Sequence, residues 1–330
     1  DQHAAARAAV QGYRYWMTEP GNDAMWFWSE NHVLCFHVSQ YLAGHLYPEA
    51  CFDNSGLTGA EHAALGHARL IRWFDAIERD GLAEWNSAAY YPIDFIGLLA
   101  LAGLGRGEIR SRARAMLDRL FTMIALHSMG GICAGSMGRA YDKELRAGPL
   151  TELSPFAAVA FGTGWLNDGV AALPMFCLGS YAPPADLVQL AAPAAPPDAP
   201  VEARYVQGHG DQGRLGLWKT PHAMLSACID GTPGATGHQQ HLADMQFTAP
   251  FARIWVNHPG EDDPWGSARP SYWAGNGVMP RVGMYRDTVL VLSDVAGGRL
   301  PFTHAYAPVG EFDAVAQGPD WMVLACGQGA

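Results

Sequence analysis

Five consecutive residues, Trp28, Ser29, Glu30, Asn31 and His32, set a carboxylate, an amide and an imidazole at the head of an apolar run over 33–46. Ser29 is a good N-cap, which puts Glu30, Asn31 and His32 in the first helical turn. Unpaired N–H groups and the positive end of the helix dipole favour an anion there and disfavour a charged imidazole. Those residue types suit a site that grips a carboxylate and keeps a neutral histidine ready as a base. A capped helix with a solvated histidine accounts for the same residues equally well.

Three further segments carry side chains of the same kind. Tyr90 and Tyr91 precede Pro92, which can open a helix because a first-turn position needs no N–H. A phenol at such a mouth can exchange a proton if a nearby cation lowers its pKa; two packing aromatics are the plainer reading. The glycine-punctuated segment 135–145 holds Arg139 and Lys143, cations in a chain that has few of them. Arginine binds carboxylates bidentately, so Arg139 is a candidate clamp, with a local salt-bridged turn among Arg139, Asp142, Lys143 and Glu144 as the alternative. Last, His238, His241 and Asp244 lead into a strand, and His258 follows at the end of the next one. Zinc takes imidazole nitrogens and carboxylate oxygens, yet on a strand residues three apart face opposite sides, so ordinary hydrogen-bonding histidines explain the spacing as well.

These residues need elements to hold them. Apolar residues at three- and four-residue spacing predict helices over 33–46, 60–79, 93–104 and 109–127, joined by short turns as in helical hairpins. A Pro/Ala-rich stretch over 182–200 reads as a non-helical connector. Beyond it, short β-branched and aromatic runs at 203–207, 214–219, 223–229, 245–247, 253–257, 288–293 and 321–325 alternate with Gly/Pro/Asp turns and predict an antiparallel sheet. The expected organisation is therefore α+β and multidomain: a helical domain over 1–181, the connector, and a β domain over 201–330. With 330 residues, 49% hydrophobic and 16% charged, the chain can bury a large core. Its net charge of -11 leaves no basic stripe for nucleic acid, and no apolar run reaches the length of a membrane span. The six cysteines are scattered with no CxxC pair; several sit in apolar runs and read as buried small hydrophobes more than as a disulfide framework. The chain begins at Asp1 and ends directly after a strand-like run, which suggests a processed or partial chain.

In order along the chain, Asn31-His32, the segment Asp80, Gly81, Glu84, Tyr90, Tyr91, and the strand entry Gly237, His238, His241, Asp244 resemble the heparinase II/III-like polysaccharide lyases, a superfamily that includes alginate and heparin lyases. The resemblance covers about residues 25 to 295. The histidine segment has one residue more in each gap than the usual pattern, and His258 stands where an Asp usually precedes Pro-Gly. The resemblance implies an α/α toroid, here incomplete with six or seven helices, followed by an antiparallel β-sandwich. It also implies β-elimination at a uronic acid. Asn31 and Arg139 would neutralise the carboxylate, His32 with Tyr91 or Tyr90 would act as base and acid, and His241 would be a second base or orienting group. Glu30, Tyr141, Lys143, Trp85 and His238 would contact substrate, with Tyr272 and Trp273 as further stacking rings. No cofactor is required by this chemistry; a structural zinc or calcium ion on His241, Asp244 and His258 is the one accessory it allows. The partner would be an acidic oligo- or polysaccharide, with a homo-oligomer allowed, and that substrate class favours a secreted or periplasmic protein. A glycoside hydrolase using two of Glu30, Glu84, Asp94 and Asp142, and a glycan-binding relative without catalysis, are the competing expectations.

Overall fold

Periodic apolar positions become helices where the sequence places them. A computed structural model describes residues 2–22, 25–169, 172–192, 200–211, 213–229 and 231–327. Helices α1 (Gln2–Gln11), α2 (Glu30–Leu46), α3 (Gly59–Asp80), α4 (Tyr91–Leu104) and α5 (Gly107–Leu126) fill most of the first 126 residues. The four predicted helices are α2 to α5, each starting one to three residues earlier than its apolar stripe. Ser29 caps α2 as expected, its hydroxyl accepting the His32 N–H at 3.3 Å. A Cβ on Gly44 of α2 would lie 2.4 Å from the Gly59 carbonyl and from the Ala63 nitrogen of α3, so those two helices touch backbone to backbone there. The shorter helices are α6 (Asp142–Arg146), α7 (Ser154–Phe161), α8 (Leu173–Leu178) and α9 (Leu187–Ala191).

The last of these corrects an expectation. Residues 182–200 were expected to be non-helical throughout, yet α9 forms in their middle because Leu187 and Ala191 bury on one side of a single turn. Residues 193–199 of the connector lie outside the described residues. Eight helices precede residue 182 among the described residues, against the six or seven expected.

Strands β1 (Ser128–Met129) and β2 (Ile132–Cys133) form a small hairpin, and six later strands form one antiparallel sheet. Its members are β3 (Val201–Gln207), β4 (Gly213–Lys219), β5 (Ala223–Ile229), β6 (Ala243–Phe247), β7 (Arg253–Asn257) and β10 (His304–Tyr306), in the order β10-β7-β6-β5-β4-β3. Two hairpins, β8 (Arg281–Tyr285) with β9 (Thr288–Leu292) and β11 (Ala314–Gln317) with β12 (Met322–Ala325), complete the set. The chain is thus a mixed α+β protein. Of these strands, β1, β2, β8, β10 and β11 were not anticipated; each is two to five residues long.

Two compact units divide the chain. One contains Asp1–Arg79, Ile93–Leu117 and Pro174–Tyr181; the other contains Asp80–Pro92, Asp118–Leu173 and Ala182–Ala330. The second unit holds the whole sheet together with the segments around Tyr90 and Arg139.

Register decides what the sheet presents. Directly paired residues share a face, and one row runs Ala203, Leu217, Ser226, Asp244, Trp255, Tyr306 across all six strands. The next row on that face holds Lys219, Met224, Gln246 and Arg253. This face carries buried polar groups. The opposite face packs apolar hairpins over its middle and far strands and leaves Glu202 and Arg204 exposed at the β3 edge: Val282, Met284, Val289 and Val291 of the β8–β9 hairpin join the core cluster of Ala227, and Phe312 and Leu324 pack with Ala223 and Phe247.

Lys219 is fully buried on the polar face, and its Nζ donates to the carbonyls of Ala125, Leu126, Leu190 and Ala191 at 2.5–3.4 Å. Those are the last carbonyls of α5 and α9, the negative ends of the two helices, where a cation is favoured. The sequence showed only a lysine ending an apolar strand; its partners come from residues far along the chain.

His37, His62 and His127 are among the histidines buried as neutral rings. Burial, reinforced by nearby guanidinium charge, pushes His37 down to about 3 and His62 down to about 4; burial and the Lys219 charge push His127 down to about 3 against the pull of Asp244. Since each folded pKa lies below the unfolded value near 6.5, the unfolded chain binds more protons between about pH 3 and 6.5. Stability is therefore full above pH 6.5 and falls as the pH drops through that window. The urea midpoint should be clearly lower at pH 5.0 than at pH 7.5; equal midpoints would mean these imidazoles are not buried neutral.

Candidate functional site

Within the second unit a glycine-punctuated loop, residues 134–141, is stitched to the strand entry and to the segment before α4. Met137 and His241 exchange backbone hydrogen bonds at 2.9 and 2.8 Å, and Ala140 N–H donates to the Gln239 carbonyl at 2.9 Å. Gly138 N–H donates to the Trp85 carbonyl at 2.9 Å, and the Ser87 hydroxyl donates to the Arg139 carbonyl at 2.7 Å. A Cβ on Gly138 would sit 2.2 Å from the Ala83 carbonyl oxygen, so only glycine permits this approach. Asn86, in the left-handed region at φ 53, donates through Nδ2 to the Ser136 carbonyl and to the Tyr205 hydroxyl. Three of the four sequence segments singled out for chemistry therefore meet in one unit.

What they assemble is a cation between two phenols. The Arg139 guanidinium lies 5.4 Å from the Tyr90 ring centroid and 5.9 Å from that of Tyr141. The two hydroxyls are hydrogen-bonded at 2.7 Å, and Arg139 Nη2 donates to the Tyr141 oxygen at 3.4 Å. Arg269 covers the Tyr141 ring at 5.6 Å, and Glu84 stands 3.7 Å from Arg139 as counter-ion. Both tyrosines and Arg139 are part-exposed, and His238 is exposed.

The two phenols diverge in acidity. For Tyr141, burial opposes ionisation, but the hydrogen bonds from Tyr90 and Arg139 and the charges of Arg139 and Arg269 outweigh it, so its pKa falls below the ordinary phenol value. Tyr90 is pushed up to about 12 by burial and by donating to Tyr141, despite the charge of Arg139. A pair with separated pKa values has one member suited to base and one to acid. Burial, then the charges of Arg139 and Arg269, hold His238 below the usual imidazole range, leaving it neutral.

Beneath this cluster lies a buried carboxylate. Asp244 accepts Gly135 N–H through Oδ1 at 2.9 Å, and through Oδ2 it accepts Arg253 Nε at 2.8 Å and His241 Nε2 at 2.6 Å. Burial would raise its pKa, but Arg253 and His241 bring it down to about 2. Burial lowers the His241 pKa more than Asp244 raises it, so that ring is neutral and donates from Nε2. Arg253 also donates through Nη1 to the Leu145 carbonyl at 3.0 Å.

That geometry does not fit the expected metal. A metal needs open lone pairs on its ligands. Three of the roughly four lone-pair sites of Asp244 are taken, and Arg253 stands where a cation would. His258 accepts Val278 N–H on Nδ1 at 2.8 Å and donates from Nε2 to the Leu300 carbonyl at 2.8 Å, so neither ring nitrogen is open. Among the described residues no three His, Cys, Asp or Glu side chains are gathered as a metal set. His241 and Asp244 come together; His258 does not join them.

Other expected residues are placed as follows. Tyr91 is buried, its oxygen accepting Asn86 N–H at 2.9 Å, while its neighbour Tyr90 turns outward. Trp85 is 3% exposed in the core cluster with Leu215 and Val282, so it is not a platform for sugar. Lys143 is exposed and paired with Glu144 at 3.0 Å. Tyr272 and Trp273 pack edge to face with one another, and Trp273 stacks on His304 at 4.8 Å. Of the carboxylates, Glu84 faces Arg139 and Asp142 lies 3.9 Å from Arg146, each beside a cation. Glu30, Asn31, His32 and Asp94 belong to the first unit. Asn31 is fully buried, its Oδ1 accepting the Ser29 hydroxyl at 3.2 Å; His32 Nδ1 bonds the same hydroxyl; Asp94 is 3% exposed. Arg253 and Arg269 were missed. Arg253 sits diagonal to Asp244 across paired strands, which becomes visible only once the register is known.

Comparison with protein-family models, with curated proteins and with solved structures finds no match for this chain.

Removing one partner of a buried ion pair leaves a charge without compensation, which costs about 3–5 kcal/mol. Arg253→Met should therefore lower unfolding stability by about that amount, measured by urea denaturation, while a strong chelator leaves the wild-type midpoint unmoved. A midpoint lowered by chelator would show that a cation other than Arg253 holds Asp244.

Proposed function

We propose that the Arg139–Tyr90–Tyr141 cluster is the catalytic centre of a polysaccharide lyase that cleaves a uronic-acid-containing glycan by β-elimination. The observation that carries this reading is the hydrogen-bonded phenol pair with a guanidinium against both rings, one phenol held low and the other high. The ordered motif resemblance to the heparinase II/III-like lyases points the same way, and the incomplete α/α toroid with β-sandwich that it implies belongs to the same proposal. So does the acidic oligo- or polysaccharide partner, met by a secreted or periplasmic protein.

In this reading the substrate carboxylate rests on Arg139 and Arg269, with neutral His238 as a further donor. Tyr141, as phenolate, removes the proton at C5. The electron pair moves toward the carboxylate, where Arg139 neutralises the developing charge. It then forms the C4–C5 double bond as the C4–O bond breaks. Tyr90, whose phenol stays protonated, gives the leaving oxygen its proton. The products are an unsaturated uronic acid and a new hydroxyl end. No metal or cofactor takes part in these steps. Asp244, Arg253 and His241 act through the loop they anchor and are positioning residues.

A base that must be ionised gives a rate that rises with pH through its pKa. Tyr141→Phe should lower the rate of unsaturated-product formation, read by ultraviolet absorbance on uronic-acid polymers, by about 10²–10⁴-fold. Arg139→Met, which removes the cation holding Tyr141 low, should move the rising limb of the pH–rate profile to higher pH. Tyr91→Phe should leave the rate unchanged and cost about 1–3 kcal/mol of stability, because the buried Asn86 N–H loses its acceptor. Product release without ultraviolet absorbance would instead show hydrolysis and reject elimination.

A further inference from the structure

A cavity of about 810 Å³ opens in the first unit, and none of its lining residues belongs to the Arg139 cluster. One face of α2 forms its floor. His32, Cys35, Ser39, Leu42 and Leu46 recur at three- and four-residue spacing, which puts them on one side of the helix. Val10 at the end of α1, with Tyr13 and Tyr15 after it, lines the cavity further, as do Leu104, the last residue of α4, and Arg106 before α5. At 1.5 Å per residue the floor runs about 21 Å from His32 to Leu46.

The pattern of α2 makes this floor unusual. Its other face, with Leu34, Val38 and Tyr41, is buried in the core. The floor face combines Cys35, Leu42 and Leu46 with the polar His32 and Ser39, and it borders open space. Leu46 and Leu104 at the edge are 65% and 68% exposed. Concave, mostly apolar walls with a few placed polar groups are the makings of a small-molecule site.

The polar groups say which molecule. Among the described residues, Arg106 is the one lining residue with a formal charge, and no carboxylate lines the cavity. His45, beside it at the C-terminal end of the floor, is neutral, because burial and the charges of Arg106 and His67 lower its pKa. His32 at the other end is neutral through burial and held by the Ser29 hydroxyl. Burial pushes the Cys35 thiol up to about 12, so it serves as an apolar wall and not as a nucleophile. In a chain of net charge -11, a pocket with one cation and no anion favours an acid head.

We propose that this cavity binds a medium-chain alkyl carboxylate, its head at Arg106 and His45 and its tail along the α2 floor toward Cys35. The site stands apart from the elimination chemistry, and its test does not use that activity. The ligand is recognised by one ion pair and by apolar burial, so head-group charge and chain length both matter. The competing occupant of such a groove is a second copy of the chain.

Calorimetric titration of the full chain with dodecanoate decides it, with dodecanol and dodecyltrimethylammonium as controls. The expected result is saturable one-to-one binding of dodecanoate, weaker binding of dodecanol and none of the cationic amphiphile. Arg106→Glu, at an exposed side chain, should weaken dodecanoate by about tenfold or more and leave dodecanol unchanged. Ser39→Trp, filling the floor from an exposed position, should abolish binding of both. Absence of saturable binding to the wild type would overturn the proposal. So would equal dodecanoate affinity in Arg106→Glu, or a wild-type dimer that Ser39→Trp converts to monomer. If Ser39→Trp fails to fold, the Arg106→Glu comparison alone decides.

Discussion

A single buried carboxylate keeps the second unit in register. Asp244 accepts Gly135 N–H on one oxygen and the side chains of Arg253 and His241 on the other. Its direct cross-strand partner, Ser226, accepts the next loop N–H, that of Ser136, at 3.1 Å. Two successive loop amides are thus fixed by two neighbouring strands, and the same loop carries Arg139 and Tyr141. An ionised carboxylate so far from water persists only with a cation and full hydrogen bonding. Arg253 supplies the first, and Gly135 and His241 the rest. The backbone that carries Arg139 and Tyr141 is held by that anchor, and Tyr90 and Glu84 meet it from the segment before α4.

The cluster above it shows how an acidic protein can hold a cationic site. Arg139 is flanked by phenol faces and shares one nearby carboxylate, Glu84. Phenol faces attract a guanidinium without neutralising it, so its positive charge remains to act on Tyr141 and on an incoming anion. Arg269 adds a second charge over the same ring. The hydrogen bond between the phenols then divides their acidity, since the acceptor is the one whose charged form is favoured. Local arrangement overrides net charge here, and the chain total of -11 says little about the field at Tyr141.

Much of the fold was legible because it follows short-range rules. The helices α2 to α5 keep their apolar spacing without interruption, and the strands β3 to β7 alternate or run apolar between clear turns, so both periods could be read directly. The strands β1, β2, β10 and β11, two to four residues long, are too short to show a period; β8 carries a glycine at its centre, and α9 hides within proline-rich sequence. The site was legible as segments but not as a constellation. Tyr90 and Tyr91 are chemically identical neighbours, and which of them faces outward depends on the rotation at which α4 begins. Trp85 looked like a stacking ring, but the β8–β9 hairpin that helps enclose it lies about two hundred residues away in sequence. Arg253 was invisible as the partner of Asp244 because a diagonal contact across strands has no trace in the spacing of either one.

The claim at the centre of this account is that Arg139 and Tyr90 make Tyr141 the most acidic phenol at the site. A spectroscopic pH titration of tyrosinate formation tests it without any substrate. The account predicts that the earliest-ionising phenol disappears in Tyr141→Phe and moves to higher pH in Arg139→Met. It would be contradicted if that phenol persisted in Tyr141→Phe, or if its titration were the same with and without the Arg139 guanidinium.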